Sequence, residues 1–293
     1  MRYLLRKYIK PLSAHSDVHK VRAGFEANAR KLGPAKGVLI RPAKIAGVDC
    51  EWLIPDGCEH APLIYYLHGG AYMMGSPRTH RMMVSHIAKR AGMRALLPDY
   101  RLAPENPFPA ALEDSTCVYR SLLEGGDNAP RIAIGGDSAG GNLSMATLLA
   151  LRDAGDELPA ACFLLSPWLD LACEGETLVT NATREPWFRA EEMPGLVSNY
   201  CSEFDTRNPL VSPVFADASG LPPTLIQAGD QEILLSDSIR LADNISASNG
   251  SVTLQIWPDM WHVFQYFVGR MPESRRAIQD VALFLRKQIT ATN

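Results

Sequence analysis

The run Gly135, Gly136, Asp137, Ser138, Ala139, Gly140, Gly141, Asn142 follows the apolar triplet Ile132, Ala133, Ile134 and precedes a second apolar run from Leu143 to Leu151. A short β-type run, a glycine-packed turn and a helix-length apolar run together predict a strand, a sharp turn and a helix, with Ser138 at the tip. The spacing Gly-x-Ser-x-Gly has a mechanical reason. A serine hydroxyl can attack only if it is held out on a tight turn, and the small neighbours Gly136 and Gly140 leave room for the backbone to fold around it.

If Ser138 is a nucleophile, it needs a base to take its proton and an acid to orient that base, in the chain order serine, acid, histidine. Only His262 lies after Ser138, because the other histidines, at 15, 19, 60, 68, 80 and 86, all precede it. It sits among Trp261, Val263 and Phe264, where a partly desolvated imidazole is expected. For the acid, the strand predicted over Thr224 to Gln227 runs into Ala228 and Gly229, and the next turn presents both Asp230 and Glu232. Asp170, after the preceding strand, is a weaker third candidate. An oxyanion formed during attack needs backbone N–H donors: one from Ala139, the residue after the nucleophile, and others from the turn His68, Gly69, Gly70, Ala71. That turn carries neither Gly-x-Gly-x-x-Gly nor Gly-Lys-Ser/Thr, so it is not a phosphate cradle. No His-Glu-x-x-His or clustered cysteine pattern is present, so no metal and no cofactor is expected.

The 293 residues are enough for one large α/β unit, and a net charge of −3 gives no electrostatic reason to expect nucleic acid as a partner. A small-molecule substrate is expected instead. Residues 1 to 10 intersperse Arg2, Arg6, Lys7 and Lys10 among their apolar residues and so lack the core of a signal peptide. No run approaches the roughly 20 apolar residues of a membrane span. Cys50, Cys58, Cys117, Cys162, Cys173 and Cys201 are widely spaced and read as free thiols. A soluble, cytoplasmic protein is the expectation. Of four Asn-x-Ser/Thr sequons one begins at Asn142, inside the turn, and none is expected to carry sugar.

Along the chain, Leu4 to Ile9 and Val18 to Leu32 read as amphipathic helices, the second closed by Gly33 and Pro34. Gly37 to Ile40 and Val48 to Ile54 read as a small antiparallel pair. Strands and helices then alternate: Leu63 to Leu67, His80 to Arg90, Arg94 to Leu97, Ala110 to Leu123, the elbow, Cys162 to Leu165, Thr224 to Gln227, Asp237 to Ser248, Val252 to Trp257 and Glu273 to Ile289. This alternation predicts a largely parallel sheet covered on both faces. Residues 175–207, with Pro186, Trp187, Phe188 and Tyr200, break it and are far longer than an ordinary connection. They read as a lid over the site. The expected organisation is N-terminal cap helices over 1–45, a first catalytic part over 46–174, a cap insertion over 175–207 and a second catalytic part over 208–293.

HGGA at 68–71 with Tyr72 and Gly75, Asp99 to Glu105 (DYRLAPE), Pro107 to Ala110 (PFPA), GDSAGGNL at 136–143, Ser166 to Asp170 (SPWLD) and Gly220 to Pro223 (GLPP) resemble the hormone-sensitive-lipase-like carboxylesterases of the α/β-hydrolase superfamily. The resemblance runs from about residue 45 to the C-terminus. It implies an α/β-hydrolase fold, with a mostly parallel eight-stranded sheet flanked by helices and a helical cap. It also implies hydrolysis of short to medium acyl esters through an acyl-enzyme, no cofactor, and a homodimer. Carried over to this chain it makes Ser138 the nucleophile, His262 the base, and Gly69, Gly70, Ala71 and Ala139 the oxyanion hole. Ala71 stands where the family usually has a third glycine. The usual Asp-Pro-Leu acid motif is replaced by Asp230, Gln231, Glu232, Ile233, Leu234, Leu235, and the family's spacing to the histidine favours Glu232 over Asp230. A lactone or amide hydrolase would use the same residues, as would an acyltransferase. A non-catalytic small-molecule receptor on the same fold would be expected to have lost the serine or the histidine.

Overall fold

The computed structural model describes residues 17–291. Eight strands, β1 (Val38–Ile45), β2 (Val48–Pro55), β3 (Leu63–Leu67), β4 (Arg94–Pro98), β5 (Ile132–Asp137), β6 (Ala161–Leu165), β7 (Thr224–Gly229) and β8 (Val252–Trp257), form one sheet in the order β1-β2-β4-β3-β5-β6-β7-β8. The pairs from β4 through β3, β5, β6 and β7 to β8 are parallel. Only β2 runs against its neighbours, pairing antiparallel with both β1 and β4. Gly47, at φ 82°, makes the β1–β2 hairpin turn possible.

The helices are α1 (Val18–Ala29), α2 (Pro77–Ala91), α3 (Ala110–Glu124), α4 (Ala139–Ala154), α5 (Thr177–Thr180), α6 (Met193–Cys201), α7 (Leu235–Ala247) and α8 (Pro272–Ala291). Their ends follow local chemistry. α2 begins at Pro77, three residues before the sequence-based start: Ser76 and Thr79 form a reciprocal capping box, and proline is favoured in the first turn, where its missing N–H costs nothing. It stops at Gly92, which takes the left-handed conformation. α1 ends at Ala29, short of the expected Leu32. The expected helix over Leu4 to Ile9 lies outside the described residues.

Strand side chains alternate between two cores, as the pleat requires. From β3, Tyr65 and Leu67 face a core shared with α3, α4, α7 and the segment 175–207, while Ile64 and Tyr66 face one filled by Met83, Val84 and Ile87 of α2 and Ile278, Val281 and Leu285 of α8. Both faces of the sheet are therefore covered, which is why its central strands read as unbroken apolar runs.

The chain leaves β3 through α2 to β4 on one side, then returns through α3 to β5 on the other side of β3. This reversal opens a crevice at the C-terminal ends of β3 and β5, where ligands of open α/β sheets bind. The turn at 68–71 follows β3 and Ser138 follows β5, so topology alone sets them side by side.

Candidate active site

Ser138 occupies the junction of β5 and α4 at φ 52° and ψ −124°, a strained conformation for a residue with a side chain. The turn closes because its glycines have no side chains. A Cβ at Gly136 would collide with the carbonyl oxygens of Leu67 and Gly140, and one at Gly140 with the backbone of Leu67 and His68. The Ser138 amide donates to Leu165 O at 3.0 Å, and the amides of Gly141 and Trp168 donate to Ser138 O, both at 3.0 Å. The backbone is thus held from β6 and α4, while the side chain stays partly open at 8% exposure.

His262 follows β8 and Glu232 follows β7. His262 Nε2 is 3.0 Å from Ser138 Oγ, and His262 Nδ1 is 3.1 Å from Glu232 Oε2. Glu232 is wholly buried, and its other oxygen, Oε1, accepts from the Gly229 amide at 2.5 Å and from Ser166 Oγ at 2.6 Å. Ser166 in turn accepts from the Val263 amide at 3.0 Å, so one hydroxyl ties the acid to the loop that carries the imidazole. Burial pushes the His262 pKa down, but the Glu232 hydrogen bond and charge, with Glu185 and Asp137 adding, push it up by more, and the net shift is upward.

The other two acid candidates point elsewhere. The Asp230 carboxylate lies 3.7 Å from Arg184. Asp170 is buried against Arg240 at 2.5 Å and accepts from the Ala172 and Glu174 amides, a structural role at the end of β6. A hydroxyl, an imidazole and a carboxylate in one hydrogen-bonded row allow the hydroxyl to lose its proton as it attacks.

The turn at 68–71 needs one correction. The Gly69 amide does not face the crevice: it donates to Asp137 Oδ1 at 3.0 Å, so it is removed from the set of oxyanion donors. The reason is the adjacent carboxylate, which also accepts from Tyr66 Oη at 2.7 Å and lies 3.3 Å from His80 Nε2. Gly70 and Ala71, at φ 130° and 53°, turn the chain so that their own amides have no intramolecular acceptor among the described residues. The Ala139 amide opens α4 and has no acceptor within the helix. Gly70 cannot be replaced lightly, since a Cβ there would strike Met74 O. His68 is packed flat on Tyr100 at 4.2 Å, and burial, helped by His80, pulls its pKa down to about 3, so it stays neutral.

Several supporting residues carry no signal in a single sequence because their partners are distant in the chain. Asn142 donates to Trp168 O and Val211 O, both at 2.9 Å, and accepts from Tyr72 Oη at 2.8 Å. This buried amide joins the turn after β3 to the loop after β6. Arg22 of α1 donates to Met73 O at 2.7 Å and Ala103 O at 2.8 Å and pairs with Glu105, clamping the same turn from outside. Trp187 and Phe188, singled out with the long connection, lie against the imidazole: Phe188 meets His262 edge to face with ring centroids 4.9 Å apart, and Trp187 does so at 6.5 Å.

A narrow, mostly apolar cleft reaches Ser138 and His262. Trp168, Ile233 and Leu234 line it from the sheet side, and Phe188, Met193 and Leu196 from residues 175–207. No group of three or more His, Cys, Asp or Glu able to hold a metal occurs among the described residues. Nor is any helix among them long and apolar enough to cross a membrane.

Comparison with known proteins gives concordant matches. A family model described as the α/β-hydrolase fold matches residues 64–266. An acetyl-hydrolase of Streptomyces hygroscopicus is 44% identical over 236 residues, covering 80% of this chain and 79% of the relative. An esterase of Acinetobacter venetianus is 38% identical over 248 residues, covering 84% and 82%. Among solved structures, EstE5 soaked with p-nitrophenyl butyrate superposes with a TM-score of 0.94 at 39% identity, covering 99% of this chain and 97% of that one. An esterase from the bacterial hormone-sensitive lipase family superposes at 0.93 with 42% identity, covering 98% and 96%.

Proposed function

Since the chain belongs to the α/β-hydrolase family, among its hormone-sensitive-lipase-like carboxylesterases, and is a carboxylic ester hydrolase, we propose that Ser138, His262 and Glu232 are the residues that cleave the ester. The observation that carries this is the unbroken row from Ser138 Oγ through His262 to Glu232, at 3.0 and 3.1 Å. In this mechanism Ser138 Oγ bonds to the ester carbonyl carbon as its proton passes to His262 Nε2. The carbonyl oxygen becomes an oxyanion facing the amides of Gly70, Ala71 and Ala139. Glu232 holds the Nδ1–H tautomer and stabilises the imidazolium. Collapse expels the alcohol, which takes the proton from Nε2 and leaves an acyl-serine. A water, deprotonated by the same nitrogen, then adds to the acyl carbon, and the acid leaves as Ser138 regains its proton.

Short to medium acyl chains are the proposed substrates, and residues 175–207 are the proposed cap that limits them. Phe188, Met193 and Leu196 wall the narrow cleft beside Ser138 from this segment, and a Streptomyces relative is named an acetyl-hydrolase. The test is kcat/KM across p-nitrophenyl esters from acetate to palmitate, beside lactones and anilides. A maximum below about eight carbons and weak turnover of lactones and anilides is expected. A maximum at palmitate, or lactones preferred to linear esters, would overturn the substrate assignment. The resemblance also implies a homodimer, which light scattering on the full chain would test.

A further inference from the structure

One buried acid near the site has no part in the row of three. Glu185 lies in the segment 175–207 and is only 6% exposed. Its Oε1 accepts from the Trp187 amide at 2.9 Å; its Oε2 is buried with no partner at ordinary hydrogen-bond distance, although the His262 backbone N–H lies close enough to favour the charged carboxyl. A carboxylate in that state is costly to bury unless a positive charge offsets it. The group able to provide that charge is His262.

The surroundings hold Glu185 in register with the reacting groups. Asn181 donates to Asp230 O at 3.1 Å and to Glu232 O at 2.8 Å, and Arg184 donates to Gln231 Oε1 at 3.1 Å. Phe188 then closes edge-on against the His262 ring at 4.9 Å. Residues 181–188 thus strap together the acid loop and the imidazole loop, with Glu185 in the middle of the strap. The charged groups facing His262 are Glu232 from the loop after β7, Glu185 from the strap and Asp137 from the end of β5. Those facing Glu185 are His262 and Glu232, while Arg184 turns outward to Asp230.

We propose that Glu185 is a positioning residue through which residues 175–207 act on the base: its carboxylate stabilises the imidazolium that His262 becomes as Ser138 attacks. Desolvation, the largest influence, raises the Glu185 carboxyl to about 7, with Glu232 raising it further and His262 opposing. Above about pH 7 the Glu185 carboxyl is ionised, and the proton released by Ser138 then enters a site flanked by two carboxylates, one fixed by the sheet and one by the cap. This deepens the proposed triad and rests on His262 being its base.

The test is the pH dependence of kcat and kcat/KM for p-nitrophenyl butyrate in wild type, Glu185→Gln, Glu185→Leu and Glu185→Asp. Glu185→Gln keeps an acceptor for the Trp187 amide and removes only the charge. Its kcat is expected to fall by roughly tenfold, well short of the ~10²–10⁴ that general acid–base catalysis contributes as a whole. KM should stay within about twofold, because an interaction made only in the transition state is lost. The acid limb should move to lower pH, since the carboxylate raises the His262 pKa. Glu185→Leu should show the same displacement, which keeps the test open should the glutamine variant not fold, and Glu185→Asp should restore the limb toward wild type. A wild-type limb in both uncharged variants, whatever their thermal stability, would overturn the proposal and leave Glu185 a packing residue. His262→Ala separates the two levels. An inactive His262→Ala beside an unmoved limb refutes the Glu185 role alone, whereas an active one refutes the base on which it rests.

Discussion

His262 Nδ1 lies 3.1 Å from Glu232 Oε2, whereas the carboxylate of Asp230, in the same loop, is turned to Arg184 at 3.7 Å. The sheet enforces the difference. Glu232 Oε1 is bound by the Gly229 amide and by Ser166, so the side chain is pinned at the end of β7 beneath the imidazole. Glu232→Gln should therefore lower kcat by roughly 10²–10⁴ by favouring the wrong histidine tautomer, as loss of a triad acid does elsewhere. Asp230→Asn removes a partly exposed ion pair and should stay within about threefold of wild type. Steady-state kinetics on the two purified variants decides between them, and the reverse ranking would move the role to Asp230.

The His262 pKa is raised: burial lowers it, but Glu232, Glu185 and Asp137 together raise it by more. Attack requires the neutral imidazole, so activity is lost as pH falls through this pKa and is retained above it. The acid limb of kcat/KM should accordingly lie above the ordinary histidine value of 6.5. A rate that is flat from about pH 5 to 8 would contradict a histidine base.

Behind the nucleophile, Asp137 accepts from Tyr66 Oη at 2.7 Å and from the Gly69 amide at 3.0 Å. Burial raises its pKa, but His80, Tyr66 and Gly69 lower it by more, and the net direction is down. A depressed carboxyl contributes stability that is present above its unfolded value of 3.8 and is lost as pH falls through the folded one. Tyr66→Phe deletes a hydrogen bond to a buried charged group and should cost about 1.5–3 kcal/mol at pH 7, read by urea denaturation. The deficit should shrink in strong acid. A deficit that grows there would show that the phenol does not serve the ionised carboxylate.

Leu196 lines the cleft from α6 and is almost wholly buried. Leu196→Ala opens space beside the acyl site at a cost of about 2–5 kcal/mol in stability. The ratio of kcat/KM for p-nitrophenyl octanoate over butyrate should rise several-fold, since one methylene in an apolar pocket is worth ~1–3 kcal/mol. An unchanged ratio would mean that α6 does not meet the acyl chain.

Where local chemistry sufficed, the sequence was readable. The strands Leu63–Leu67 and Val252–Trp257 fall where the apolar runs end, and the largely parallel sheet follows from the regular alternation, its eight strands from the family resemblance. That Ser138 and His262 meet, at 3.0 Å, is legible because the elbow needs its glycines and only one histidine follows it. The sequence pattern starts α2 at His80, three residues late, because the first turn is set by the Ser76–Thr79 capping box and Pro77 rather than by apolar periodicity. Sequence alone makes Gly69 an oxyanion donor, because each amide of a glycine turn looks alike there; only the fold brings Asp137 across to occupy it. Glu185 was invisible for the same reason. Its meaning depends on being buried beside His262, a contact between segments far apart in the chain.

Hydrolysis of p-nitrophenyl butyrate by Ser138→Ala tests the central claim most directly. Removing Ser138 Oγ leaves the oxyanion amides, His262 and the cleft in place, so the protein should fold and bind while kcat falls by roughly 10³-fold or more, toward the residual acceleration that binding and the oxyanion site provide alone. A variant that kept most of the wild-type rate would show that the nucleophile is not Ser138.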